Sequence, residues 1–188
     1  MNDLKRPASV GISGYASVFA KPDLSGDRVM RGAFAASLLT LGGRPLPMLF
    51  GHETVEPIGI WDRVFEDGKG LFVSGRIFTG TARADRIARL VTQGALSGLS
   101  IGYRVRRNRA RVPTGRDLIE LDLWEVSIVA FPMLRDARLV AIGGGANEAM
   151  MQIIARAPRV PSPSESRSGP WSSPKPYKSE KQLEAEKN

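Results

Sequence analysis

The chain contains one histidine, His52, in Met48-Leu49-Phe50-Gly51-His52-Glu53. Any imidazole chemistry must pass through it. Serines follow in Gly94-Ala95-Leu96-Ser97-Gly98-Leu99-Ser100-Ile101-Gly102-Tyr103. A carboxylate, Glu125, stands in the otherwise apolar run Leu123-Trp124-Glu125-Val126-Ser127-Ile128-Val129. Base, hydroxyl and acid on separate β-like segments are the parts of a serine hydrolase. The imidazole takes the hydroxyl proton and the acid orients the imidazole.

Each residue also has a plainer reading. His52 could be a surface or core histidine. Its place after a glycine, where an apolar strand gives way to a loop, favours display of a functional group. Gly98 and Gly102 flank Ser100 at two residues on either side, which lets a substrate backbone approach. That is Gly-x-Ser-x-Gly spacing, but the nucleophile elbow needs a strand-turn-helix setting. A strand follows Ser100 instead, which excludes an α/β-hydrolase. Ser97 is the alternative nucleophile and Ser127 a weaker one. Their competing reading is small residues in a crowded strand crossing. A buried, unpaired carboxylate is costly, so Glu125 needs a partner, either His52 or an arginine. Strand alternation places Leu121, Leu123 and Glu125 on one face, with Asp122, Trp124 and Val126 on the other. Glu125 would then point inward with the leucines.

The elements that must position these residues are β-rich. Strands are predicted over Val10–Phe19, Ile58–Phe65, Leu71–Phe78, Leu96–Val105, Leu118–Phe131 and Leu139–Ile142, with an apolar run at Pro47–Gly51. Leu118–Phe131 is expected to bend. Asp67-Gly68 marks a hairpin turn. Gly32–Leu41 and Thr81–Gln93 are predicted helices, the second capped by Thr81 and ended by Gly94. Ala84, Ile87, Leu90 and Val91 form its buried stripe. Asn147–Arg156 is a further helix candidate.

Composition narrows the chemistry. The 188 residues contain no cysteine, which excludes a thiol nucleophile, a disulfide and a thiolate zinc site. With a single histidine as well, neither metal nor cofactor is expected. Residues 13–157 read as one folded domain after a flexible N-terminus, residues 1–12. The Pro/Ser/Lys-rich residues 158–188 lack the apolar content to order themselves and read as a disordered tail. The net charge is +8, and five arginines lie between Arg104 and Arg111. No aromatic residue interleaves them, so a solvated arginine-rich hairpin is preferred to a nucleic-acid surface. No apolar run approaches the roughly twenty residues of a membrane helix. No signal core is evident near the N-terminus, and a soluble intracellular protein is expected.

A set of short blocks then points to a family. Gly14-Tyr15-Ala16-Ser17-Val18-Phe19, Gly26-Asp27, Gly32-Ala33-Phe34, Phe50-Gly51-His52, Pro57-Ile58-Gly59 and Gly70-Leu71 come first. Gly94 to Tyr103 and Trp124-Glu125-Val126-Ser127-Ile128-Val129-Ala130-Phe131-Pro132-Met133 complete it. In this order, from about Ser13 to Val140, they closely resemble the prohead proteases of tailed phages and prophages. That family is similar in fold to assemblin, the herpesvirus capsid-maturation protease. The resemblance implies an α+β, mainly antiparallel β fold: a closed or partly closed barrel flanked by helices. It implies a serine endopeptidase with His52 as base and Ser100 as nucleophile. The herpesvirus enzymes use a second histidine, which this chain lacks, and Glu125 fits the vacancy. Arg135 and Arg138 are oxyanion candidates by analogy.

The implied substrates are the scaffolding segment of the major capsid protein and the protease itself. The implied setting is the immature prohead in the host bacterial cytoplasm, with self-association as a dimer. Two other classes compete: a non-enzymatic capsid- or scaffold-associated protein on the same fold, and a small basic nucleic-acid-binding barrel.

Overall fold

The computed structural model describes residues 9–142. The predicted helix at 147–156, the tail at 158–188 and most of the predicted flexible N-terminus lie outside the described residues. Ten elements follow one another: β1 (Ser9–Val18), β2 (Arg28–Val29), α1 (Ala35–Leu41), β3 (Leu46–Phe50), β4 (Gly59–Glu66), β5 (Gly70–Phe78), α2 (Ala82–Thr92), β6 (Gly98–Ala110), β7 (Arg116–Val129) and β8 (Arg138–Ile142). Seven strands pair in the order β7-β3-β4-β5-β1-β8-β6, and β6 returns to β7, so the barrel is closed. Closure leaves no free edge around the ring. β2 lies outside this ring as a parallel addition to β7.

Most neighbours are antiparallel, as expected. The exception that matters is β3 against β7, which run parallel with Met48 opposite Val126, Leu49 opposite Ser127 and Phe50 opposite Ile128. Inside the barrel, Ile12, Met48, Trp61, Leu71, Ile77, Leu99, Leu121 and Ile128 are all fully buried. Trp61 also donates its indole N–H to the Val126 carbonyl at 2.9 Å, so β4 is tied directly to β7 through the core. Helix α2 starts where Thr81 Oγ1 accepts from the Ala84 N–H and buries Ala84, Ile87, Ala88 and Val91. Ala88 joins this stripe, while Leu90 is only partly buried.

The β4–β5 turn follows its Asp-Gly signal. Asp67 Oδ1 accepts the N–H groups of Lys69 and Gly70 at 2.7 and 2.9 Å. Its other oxygen accepts the Tyr15 hydroxyl at 2.6 Å. Burial, reinforced by this carboxylate, pushes the Tyr15 phenol up.

Two features depart from the sequence pattern. Strand β6 runs five residues beyond the predicted end at Val105, to Ala110, so the expected arginine-rich hairpin is mostly strand. Four of its five arginines reach carboxylates: Arg106 to Asp122, Arg107 to Glu120, and Arg109 and Arg111 to Asp117. The second departure is β2, two residues long and without apolar periodicity. It is held by a crossed pair of charges. Arg28 bonds Asp117 at 2.7 Å, and Arg116 bonds Asp27 at 2.5 Å.

Asp117 is nearly fully buried and is the hub of this arrangement. The hydrogen bond from Arg109, then that from Arg28, holds its carboxyl below the ordinary 3.8. A carboxylate of lowered pKa stabilises the fold above its unfolded value, and loses that contribution as pH falls through the folded one. Asp117→Asn should therefore lower Tm at neutral pH, because it strands guanidinium groups that faced a buried charge. The gap from wild type should narrow as pH drops below 3.8. Thermal melts across pH check this.

Candidate active site

Three adjacent strands carry the site: β3, β7 and β6. At the end of β3, Gly51 and His52 both take left-handed backbone, with φ of 62° and 63°. Left-handed backbone strains a side-chain-bearing residue by about 1–2 kcal/mol. Two hydrogen bonds to β7 hold the turn: Gly51 N–H to the Ile128 carbonyl at 3.0 Å, and His52 N–H to Ser127 Oγ at 2.9 Å. Beyond it, Glu53 accepts both terminal nitrogens of Arg83 from the first turn of α2, at 3.0 and 2.6 Å. The guanidinium holds the Glu53 carboxyl below its usual range.

On β6, Ser100 sits opposite Ser127, and Gly102 opposite Glu125. Strand period 2 then puts Ser100, Gly102, Glu125 and Ser127 on one face. Leu99 and Ile128 fill the other face, which belongs to the core. This corrects the expectation that Glu125 points with Leu121 and Leu123. The register shifts at this point: Tyr103 pairs with Leu123 and Gly102 with Glu125, which leaves Trp124 as the extra residue of a β-bulge. The bulge reverses the alternation. Trp124 is thrown out to 62% exposure, and the Leu123 N–H is taken by Ser37 Oγ of α1 at 2.9 Å.

The side chains meet on the outer face. His52 Nδ1 lies 2.7 Å from Glu125 Oε1, and His52 Nε2 lies 3.0 Å from Ser100 Oγ. An ionised carboxylate only accepts, so the ring proton is assigned to Nδ1, and Nε2 is left with its lone pair toward the hydroxyl. Glu125 is 10% exposed and His52 46% exposed at the side chain. The acid is therefore screened from water while the imidazole stays open to a substrate. The arrangement can move a proton from a hydroxyl to a held imidazole.

Of the other predicted residues, Ser97 lies off this line, where its Oγ accepts from Arg138 at 3.2 Å. Arg138 also donates to the Arg135 carbonyl at 3.0 Å, and the Arg135 side chain is exposed. A cavity of about 180 Å³ opens beside Ser100, lined by Ser17, Lys21, Asp27, Tyr103, Arg116 and Met133 among others.

The sequence profile of the caudovirus prohead serine proteases matches residues 2–150. The chain belongs to this family. The prohead protease of Enterobacteria phage HK97 is 36% identical over 132 residues, a match covering 69% of this chain and 58% of that protein. The chain thus spans under two thirds of that relative's length. Among solved structures, the Kaposi's sarcoma-associated herpesvirus protease with a hexapeptide phosphonate inhibitor superposes with a TM-score of 0.50 at 17% identity. That likeness covers 80% of this chain and 78% of the viral one, and it concerns the fold alone.

Sequence reasoning did not find the supporting residues. From the sequence Ser127 reads as a weak nucleophile or as a small residue at a strand crossing, not as a support for Glu125. The signal was there in Glu125-Val126-Ser127: two polar residues one strand period apart in an apolar run share a face. From the sequence Gly102 reads as room for a substrate. A Cβ built on it would sit 2.2 Å from Glu125 Oε1, so its missing side chain makes room for the carboxylate. Gly102→Ala should push Glu125 off His52 and lower stability by about 1–3 kcal/mol, the usual cost of overpacking. A crystal structure of the variant, with the Nδ1–Oε1 distance as readout, and a denaturant melt check this.

Proposed function

We propose that the chain is a serine endopeptidase that cuts the scaffolding segment of its capsid protein, and itself, during prohead maturation. The observation that carries the reading is the unbroken line Ser100 Oγ, His52 Nε2, His52 Nδ1, Glu125 Oε1, with spacings of 3.0 and 2.7 Å. Family membership and the HK97 relative support the setting in capsid assembly.

The spacing of the three side chains supports the following steps. Ser100 Oγ attacks a peptide carbonyl carbon as His52 Nε2 takes its proton. The tetrahedral adduct collapses when His52 returns that proton to the leaving amine, which frees the downstream peptide. Water then repeats the cycle on the acyl-enzyme, with the same imidazole as base. Glu125 keeps the proton on Nδ1 and stabilises the imidazolium formed in each half. The segment from Arg135 to Arg138 is tied through Ser97 to the stretch just before the nucleophile. It supplies Arg135 and Arg138 as candidates for holding the oxyanion.

The match to the HK97 protein assigns no role to His52, Ser100 or Glu125, so their roles call for a direct test. When this chain is co-expressed with its capsid protein, wild type should shorten the capsid protein on a gel, and Ser100→Ala and His52→Ala should not. Loss of the nucleophile or base is expected to cost on the order of 10⁶-fold, and Glu125→Gln roughly 10⁴-fold. Ser97→Ala should cleave like wild type. Cleavage that persists without Ser100 and His52 overturns the assignment. A wild type that never cleaves favours a non-enzymatic assembly role.

A further inference from the structure

We infer that Ser127 is a positioning residue that locks the His52 imidazole to Glu125 by bonding the main chain of one and the side chain of the other. The inference rests on the reading of His52, Ser100 and Glu125 as the reacting set. It adds a residue that this reading does not use.

The atoms leave little freedom. Ser127 is fully buried. Its Oγ lies 2.9 Å from the His52 main-chain nitrogen and 2.8 Å from Glu125 Oε2. An amide N–H can only donate, so Ser127 Oγ accepts there. A carboxylate can only accept, so the hydroxyl proton points to Oε2. Glu125 is then held at both oxygens, Oε2 by Ser127 and Oε1 by His52 Nδ1 at 2.7 Å. The four bonded groups close into a ring that leaves His52 at its backbone and returns to it at its imidazole.

Two consequences follow. The carboxylate cannot turn about its last bond without breaking one of the two contacts. The strained backbone of His52, at φ 63°, is fastened by the same hydroxyl that fastens the acid. Accepting from the N–H polarises the Ser127 hydroxyl and strengthens its donation to Glu125. Ser127 is also excluded as a rival nucleophile: it is buried and its proton is committed to Oε2.

The single histidine makes the test clean, because the imidazole region of a ¹⁵N spectrum of the full chain reports His52 alone. Wild type should show one ring tautomer, with the proton on Nδ1. Ser127→Ala should show a mixture of tautomers. Ser127→Cys, which keeps the shape but donates weakly, should fall between them, and it serves if the alanine variant does not fold. In parallel, a fluorophosphonate probe should label Ser100 about 10- to 100-fold more slowly in Ser127→Ala at saturation, with little change in the concentration that half-saturates. A folded Ser127→Ala or Ser127→Cys with the wild-type tautomer pattern and labelling rate overturns the inference. The tautomer readout needs no turnover. A locked imidazole in a chain that never cleaves capsid protein would therefore sink the protease reading and leave the role of Ser127 standing.

Discussion

One extra residue in strand β7 decides where the acid points. Before Trp124, the strand sends Leu121 and Leu123 into the barrel; after it, Val126 and Ile128 take over that task. Without the bulge, an unbroken alternation would place Glu125 among leucines, where an ionised carboxylate is costly and cannot meet an imidazole on the outside. The bulge moves it to the face shared by Ser100. The price of the misstep is small: the displaced Leu123 N–H finds Ser37 of α1, and the indole of Trp124 is left in solvent.

Much of this was legible in the sequence. The long strands, the second helix and the Asp67 turn follow their local signals, since each is written in contiguous residues. His52, Ser100 and Glu125 stood out because polar side chains in apolar strands demand an explanation. The parts that stayed hidden depend on pairing between distant segments. Nothing local marks β3 as the parallel neighbour of β7, and β2 depends on distant partners, with Arg28 and Asp27 meeting Asp117 and Arg116 across the fold. The bulge is invisible for the same reason: Trp124 is an ordinary strand residue until its partner strand sets the register.

Charge is handled in a consistent way. The chain is strongly basic, yet the arginines of the β6–β7 hairpin are matched largely by carboxylates of the same hairpin. The hairpin uses those side chains to fix its own register. At the other end of the same strands, Arg83 performs a similar task on the loop after His52. The only acid in the β7 segment that bonds an imidazole is Glu125, and its environment is shaped by a glycine and a serine, with no arginine among its described partners.

The parallel seam between β3 and β7 also sets an order of events during synthesis. His52 precedes its acid by 73 positions and its serine by 48. Contacts of such separation form late, after the intervening loops have been closed. Residues 126–128, which pair with β3, leave the ribosome after both His52 and Ser100. A nascent chain therefore carries each part of the site without the site itself. The line from Ser100 through His52 to Glu125 comes into being only when the last barrel strands join.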